Sequence, residues 1–159
     1  MNAGGAGGAR PKNLGCIFAG HLGGRRPAVV DLSRPDAPTY DYDQLDAMAN
    51  AVARGLKARG LAPGDRIAIL ALNRVEYLAV FFGAMRAGVV PAPINIKLAA
   101  DVVDYVIRDS GAKLAFAEED FLRLLPSDLP VVRFGADFDG FLDPGPFEPV
   151  VPEIGRAHV

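Results

Sequence analysis

Between residues 66 and 134 the sequence alternates short apolar runs with stretches of helical period, and glycine or proline marks most changes of period. RIAILAL (66–72), VVPAPI (89–94), KLAFA (113–117) and PVVRF (130–134) read as strands. Nearly continuous apolar runs of this length suit strands covered on both faces. Between them, 75–87 reads as a buried helix, apolar nearly all round and stopped by Gly88. Asn73 and Glu76 stand at capping-box spacing before it. A helix through ADVVDYVIRDSG turns Val102, Val103, Val106 and Ile107 inward and stops at Gly111, and 119–125 reads as a short helix. The two prolines of 89–94 place one end of that strand at an edge or rim.

The first third fits the same scheme. A short helix is expected over 14–22, a strand over 27–32 and a loop over 33–38. Asp41 and Gln44 form a capping box for a helix whose apolar face is Leu45, Met48, Ala49, Val52, Ala53 and Leu56, stopped by Gly60. The order β-α-β-α-β-α-β-α-β predicts an α/β fold with a mostly parallel sheet and flanking helices. Beyond Phe134 the pattern decays into a Pro- and Gly-rich surface segment.

Composition narrows the function. Half of the 159 residues are hydrophobic, enough for a core, and the net charge is −2. Basic residues are scattered, with Arg25 and Arg26 the one adjacent pair, so no nucleic-acid footprint is present. Cys16 is the sole cysteine, which points to a reducing compartment. With His21 and His158 it makes no metal-ligand spacing. The first twelve residues lack the apolar stretch of a signal peptide, and the apolar stretch 77–85 falls far short of the roughly 20 residues that span a bilayer. A soluble, cytoplasmic protein is expected. GAGGAR has no strand before it and breaks the GxGxxG spacing, so residues 1–12 read as a flexible tail.

Chemistry-bearing residues are few. Asn73 and Asn95 follow strands, where ligands gather in an open α/β sheet, with Lys97 close by. Capping accounts for Asn73, a turn for Asn95, and solvent for Lys97. Glu118, Glu119 and Asp120 open a short helix, where negative charge suits the dipole. None of the four lysines, Lys12, Lys57, Lys97 and Lys113, follows a glycine, so no Walker-type loop exists. No serine or cysteine sits in a nucleophile elbow. No catalytic, cofactor-binding or metal-binding residue is therefore assigned.

Five pieces nevertheless stand in a distinctive order: Asp41-Tyr42-Asp43-Gln44-Leu45, Gly64-Asp65-Arg66-Ile67, Arg86-Ala87-Gly88, Pro93-Ile94-Asn95 and Asp109-Ser110-Gly111-Ala112-Lys113. As a set they resemble the N-terminal region of the adenylate-forming superfamily, which includes acyl-CoA synthetases, aryl-CoA ligases, luciferases and peptide-synthetase adenylation domains. Asp41 replaces the usual Thr or Ser cap, and Ala99 stands where a capping Ser or Thr often begins the next helix. The resemblance implies that 13–152 is the N-terminal part of an AMP-binding domain. It implies a parent ATP-dependent carboxylic acid–CoA ligase using ATP, Mg²⁺ and CoA. In such enzymes a carboxylate attacks the α-phosphate of ATP, pyrophosphate leaves, and the thiol of CoA then displaces AMP from the acyl-adenylate. The family's Gly-rich phosphate loop, its adenine and ribose motifs and its small C-terminal domain have no counterpart in this sequence, so the chain alone is expected to be inactive.

The last six residues, IGRAHV, match the translation of a common short-read sequencing adapter, ATCGGAAGAGCACACGTCTGA, which then meets a stop codon. Residues 153–159 are accordingly expected to be a non-native tail. The acid is not legible, and a medium- or long-chain acyl group is the leading expectation. Two other readings stand beside the ligase: a stand-alone α/β module that binds a nucleotide or partner without catalysis, and a diverged family member with a regulatory role.

Overall fold

A computed structural model of the chain describes residues 12–135 and 137–151. The expected tail at 1–12, apart from Lys12, and the expected non-native tail at 153–159 lie outside the described residues. The strands are β1 (Pro27–Val30), β2 (Thr39–Asp41), β3 (Arg66–Leu70), β4 (Val90–Pro93), β5 (Ala112–Ala117) and β6 (Val131–Arg133). The helices are α1 (Tyr42–Ala58), α2 (Val75–Arg86), α3 (Ala100–Ser110) and the single turn α4 (Phe138–Phe141). A four-stranded sheet runs β4-β3-β5-β6, parallel throughout, with helices on both faces, as the alternating pattern predicts.

Alternation along each strand divides the core in two. Ile67, Ile69, Leu114, Phe116 and Val132 face one side, where they meet Val52 and Leu56 of α1 and Ala79, Val80 and Ala84 of α2. Ala68, Leu70, Ala115 and Ala117 face the other, under Val103 and Ile107 of α3. The capping box at the start of α1 is present in both halves: the Gln44 N–H donates to Asp41 Oδ1 at 2.8 Å, and the Asp41 N–H donates to Gln44 Oε1 at 2.9 Å.

β4 is an edge strand, as its prolines require. The Val90 and Ile94 N–H groups turn inward and donate to the carbonyls of Asp65 and Ile69. Residues 91 and 93 therefore face outward, and both are prolines with no N–H to offer a further strand. At the other edge, the outward Arg133 N–H donates to Asp137 Oδ2 at 3.3 Å, and its carbonyl accepts from the Asp137 N–H at 3.3 Å.

Several expectations need correction. The segment 14–22 is two 3₁₀ turns, Leu14–Cys16 and Ala19–His21, because its glycines and the lack of a helical apolar stripe leave nothing to stabilise longer α-helix. The segment 119–125 is likewise a 3₁₀ helix, Glu119–Leu124. The expected first strand does not join the parallel sheet: β1 pairs antiparallel with an additional strand, β2, in a two-stranded sheet of their own. Val102 points outward, 40% exposed, because α3 packs through the narrower Val103/Ile107 stripe. The stretch after Phe134 is not a surface segment only: Phe138 and Phe141 are buried and close the core beside Phe116.

Candidate functional site

The loops at the carboxyl ends of the strands meet in a charged cluster beside an apolar cleft. Asn73 does not cap α2. The N-cap is Arg74, whose backbone is extended and whose side chain makes no capping bond. The cap comes from elsewhere in the chain: Asp31, following β1, accepts the Val75 N–H at Oδ2, 3.2 Å. Asp31 Oδ1 also accepts the Ser33 N–H at 2.9 Å and the Ser33 hydroxyl at 2.6 Å. A local Asx turn thus prepares a carboxylate that caps a helix 44 residues away. Asn73 is left exposed.

Arg74 binds Glu76 through two bonds, Nε to Oε2 at 2.9 Å and a second guanidinium nitrogen to Oε1 at 3.1 Å. It also approaches Glu118 at 4.0 Å and lies over the Phe134 ring, 5.1 Å from its centroid. Glu118 in turn accepts the Leu72 N–H at 2.8 Å, joining the loop after β5 to the loop after β3. Glu76 therefore pairs with its neighbour rather than completing a capping box.

Burial alone would raise the carboxyl of Asp31, but the hydrogen bonds from Ser33 and Val75 and the nearby Arg74 charge outweigh it and hold it below its ordinary value. Burial likewise opposes ionisation of Glu76, and the Arg74 hydrogen bonds and charge overcome it. Arg74 is raised chiefly by its hydrogen bonds to Glu76.

Replacing Asp31 by asparagine is expected to cost about 1–2 kcal/mol at neutral pH through the weakened cap and turn. The folded carboxyl titrates below its ordinary 3.8, so this contribution is complete above roughly pH 4 and vanishes as pH falls through the folded value. Urea unfolding at pH 7 and pH 3 checks it: the gap between wild type and D31N should shrink at the lower pH.

The cleft beside this cluster has a volume of about 360 Å³ and is lined by Val29, Val30, Leu32, Tyr77 and Leu78, with Asn73 and Arg74 among its polar members. A larger cleft of about 660 Å³ lies between α1 and residues 143–150, away from the strand ends that organise ligand sites in this architecture.

Asn95 behaves as a turn residue, accepting the Lys97 N–H at Oδ1, 3.0 Å, with both side chains exposed. Glu119 reaches Arg133 at 3.7 Å across the surface. Asp31, Glu76 and Glu118 set against Arg74 leave the cluster net acidic and mutually satisfied, so it does not suit a polyphosphate. Among the described residues no group of three His, Cys, Asp or Glu side chains is arranged to hold a metal ion. None of their helices is long and apolar enough to cross a membrane.

The part Asp31 plays is not legible in the sequence because the helix N–H it caps lies 44 positions on, and Arg74 likewise meets Glu118 and Phe134 from distant loops, although Glu76 is only two residues away. The Asp-Leu-Ser string at 31–33 was the available signal for the turn, though not for the helix it caps.

Comparison with known proteins places this framework. Residues 19–148 match the family model described as AMP-binding enzyme. The chain is similar to the fatty acid–[acyl-carrier-protein] ligase ScoC of Streptomyces coeruleorubidus, 38% identical over 117 residues that make up 70% of this chain and 22% of the relative. It is similar to the 3-hydroxybenzoate–CoA ligase of Aromatoleum sp. (strain CIB), 33% identical over 145 residues, 80% of this chain and 27% of that protein. Among solved structures, the Mycobacterium tuberculosis fatty acyl CoA synthetase superposes with a TM-score of 0.78 at 30% identity, covering 91% of this chain and 31% of that one. The chain thus spans about a quarter of the length of these two curated relatives. With the parallel sheet, its flanking helices and the family match agreeing over most of its length, the chain belongs to the AMP-binding, adenylate-forming enzyme family.

Proposed function

We propose that residues 13–152 are the N-terminal part of the adenylation domain of an ATP-dependent carboxylic acid–thiol ligase, and that the 159-residue chain by itself does not adenylate an acid. The observation that carries the reading is the family match over residues 19–148, joined to the two relatives above, whose names describe acid–thiol ligases. The five sequence pieces support it. They fall at the start of α1, the entry to β3, the end of α2, the exit from β4 and the α3–β5 turn, the junctions that hold the sheet in order.

The overall reaction joins an acid to a thiol through an acyl-adenylate, with pyrophosphate and then AMP leaving. Stabilising charge that builds on phosphate oxygens takes preorganised N–H groups and cations. The described residues at the strand ends offer instead a net acidic cluster already bonded to itself, and this supports inactivity of the chain alone. CoA is the thiol acceptor we propose, with a medium- or long-chain fatty acid as the substrate. The relatives' names include an acyl-carrier protein and an aryl acid as well, so the assay must sample these.

Incubating the purified chain with ATP, labelled pyrophosphate and a panel of fatty and aryl acids should give no exchange above background. Exchange with any acid would overturn the inactivity. Reading the genomic DNA beyond codon 153 tests the parent: an in-frame Gly-rich loop ending in Pro-Lys-Gly is expected. A natural stop with no such loop would sink the ligase assignment.

A further inference from the structure

Arg86 is the largest fully buried side chain among the described residues, 2% exposed. A buried guanidinium is expensive unless its donors are paired. Here they are. Nε donates to the Gly15 carbonyl at 2.9 Å. One terminal nitrogen donates to the Asp46 carbonyl at 3.1 Å and to Asn50 Oδ1 at 2.7 Å, and the other to Asp46 Oδ1 at 2.7 Å. The group also lies 5.2 Å from the centroid of the Phe18 ring. One side chain on α2 thereby holds α1 and the 13–18 segment together.

Its backbone does a second job. The Arg86 carbonyl accepts the Val150 N–H at 2.8 Å. Asn13, itself buried, bridges the same place. Its Nδ2 donates to the carbonyls of Met85 at 2.8 Å and Val150 at 2.7 Å, and its Oδ1 accepts the Gly15 N–H at 2.7 Å. Residue 15 must be glycine for this approach, since a Cβ there would sit 2.5 Å from the Phe82 carbonyl oxygen and 2.9 Å from Arg86 Cγ.

The structure assigns Arg86 and Asn13 to a two-sided latch that fastens the segment 13–18 and the stretch at Val150–Val151 to the end of α2 as one cooperative unit. Each segment completes the other's site. Gly15 is held by Arg86 and Asn13, and the same Asn13 amide holds Val150, so releasing one side removes the partner that orders the other. The latch lies beside Val89 and Val90 at the amino end of β4, opposite the strand ends that carry the charged cluster.

Amide hydrogen exchange on wild type, Arg86→Met and Asn13→Ala tests this. Met keeps the bulk and most of the apolar stem while removing every guanidinium donor. In both variants the amides of Gly15, Cys16 and Ile17 and that of Val150 should exchange at least tenfold faster together, while those of residues 52–56 and 67–70 change far less. Loosening of one segment with the other unchanged would overturn the latch, as would unchanged exchange in both. If Arg86→Met does not fold, Asn13→Ala decides, because it leaves the Arg86 side chain intact. Global unfolding of Asn13→Ala would also overturn the proposal, since the latch predicts loss confined to the two segments.

Discussion

Phe116→Ala is expected to be the most damaging single truncation in the core, costing about 3–5 kcal/mol. Phe116 is fully buried near the carboxyl end of β5, and its ring meets three other aromatic rings. Phe141 stands edge-on at 5.0 Å between centroids and 85°, Phe138 at 6.3 Å and 78°, and Phe134 lies tilted at 6.1 Å. Edge-to-face pairs add to the burial of area itself. Removing the hub opens a cavity between the sheet and α4 that a one-turn helix is too short to collapse into without losing its own burial. Since a whole domain is stable by only about 5–15 kcal/mol, this is a large share of the total. Thermal unfolding followed by circular dichroism should show a fall of about 10 °C or more. A fall below about 3 °C would mean that the phenylalanine cluster is not packed as described.

Gly83→Val should be nearly as severe for the opposite reason. Gly83 lies on α2 where it crosses α1, and a Cβ built there would stand 2.6 Å from the Ala49 carbonyl oxygen and 2.7 Å from Val52 Cβ. Backbone is on one side of that contact, so the helices themselves must separate. Overpacking a tight core site costs about 1–3 kcal/mol and more when backbone has to move. Here the displaced helices are the two that cover one face of the sheet, so a loss of about 3 kcal/mol is expected, with the milder Gly83→Ala between valine and wild type. Urea midpoints for the three proteins check the ordering. If alanine were neutral, the close approach of α1 and α2 would be refuted.

These two sites show how differently parts of the molecule could be read beforehand. Phe116 sat in an apolar run flanked by turn residues, and its burial followed from the period. The phenylalanines it packs against at 138 and 141 were hidden, because a single helical turn between glycines and prolines carries no periodicity to detect. Gly83 lay within a helix whose apolar character was plain, but nothing in the linear order said that a glycine there marks a helix crossing. At the charged cluster the gap was wider. Asn73 had the right residue type and spacing for a cap, yet a better acceptor, Asp31, arrived from the β1 side and took the Val75 N–H. Local capping rules rank candidates along the chain and are blind to a competitor 44 positions away.

Legible in one dimension were the order of the elements from β3 to β6, the parallel α/β class, the capping box at Asp41 and Gln44, and the prolines that suit β4 to an edge. All of these depend on interactions within a few residues or on simple periodicity, so they survive in one dimension. Three outcomes needed the folded chain: that Asp31 caps α2, that Arg74 lies over Phe134, and that Arg86 and Asn13 gather both flanking segments at one point. Those outcomes depend on which buried polar group finds a partner once water is excluded, and that is settled by distance in space rather than position along the chain.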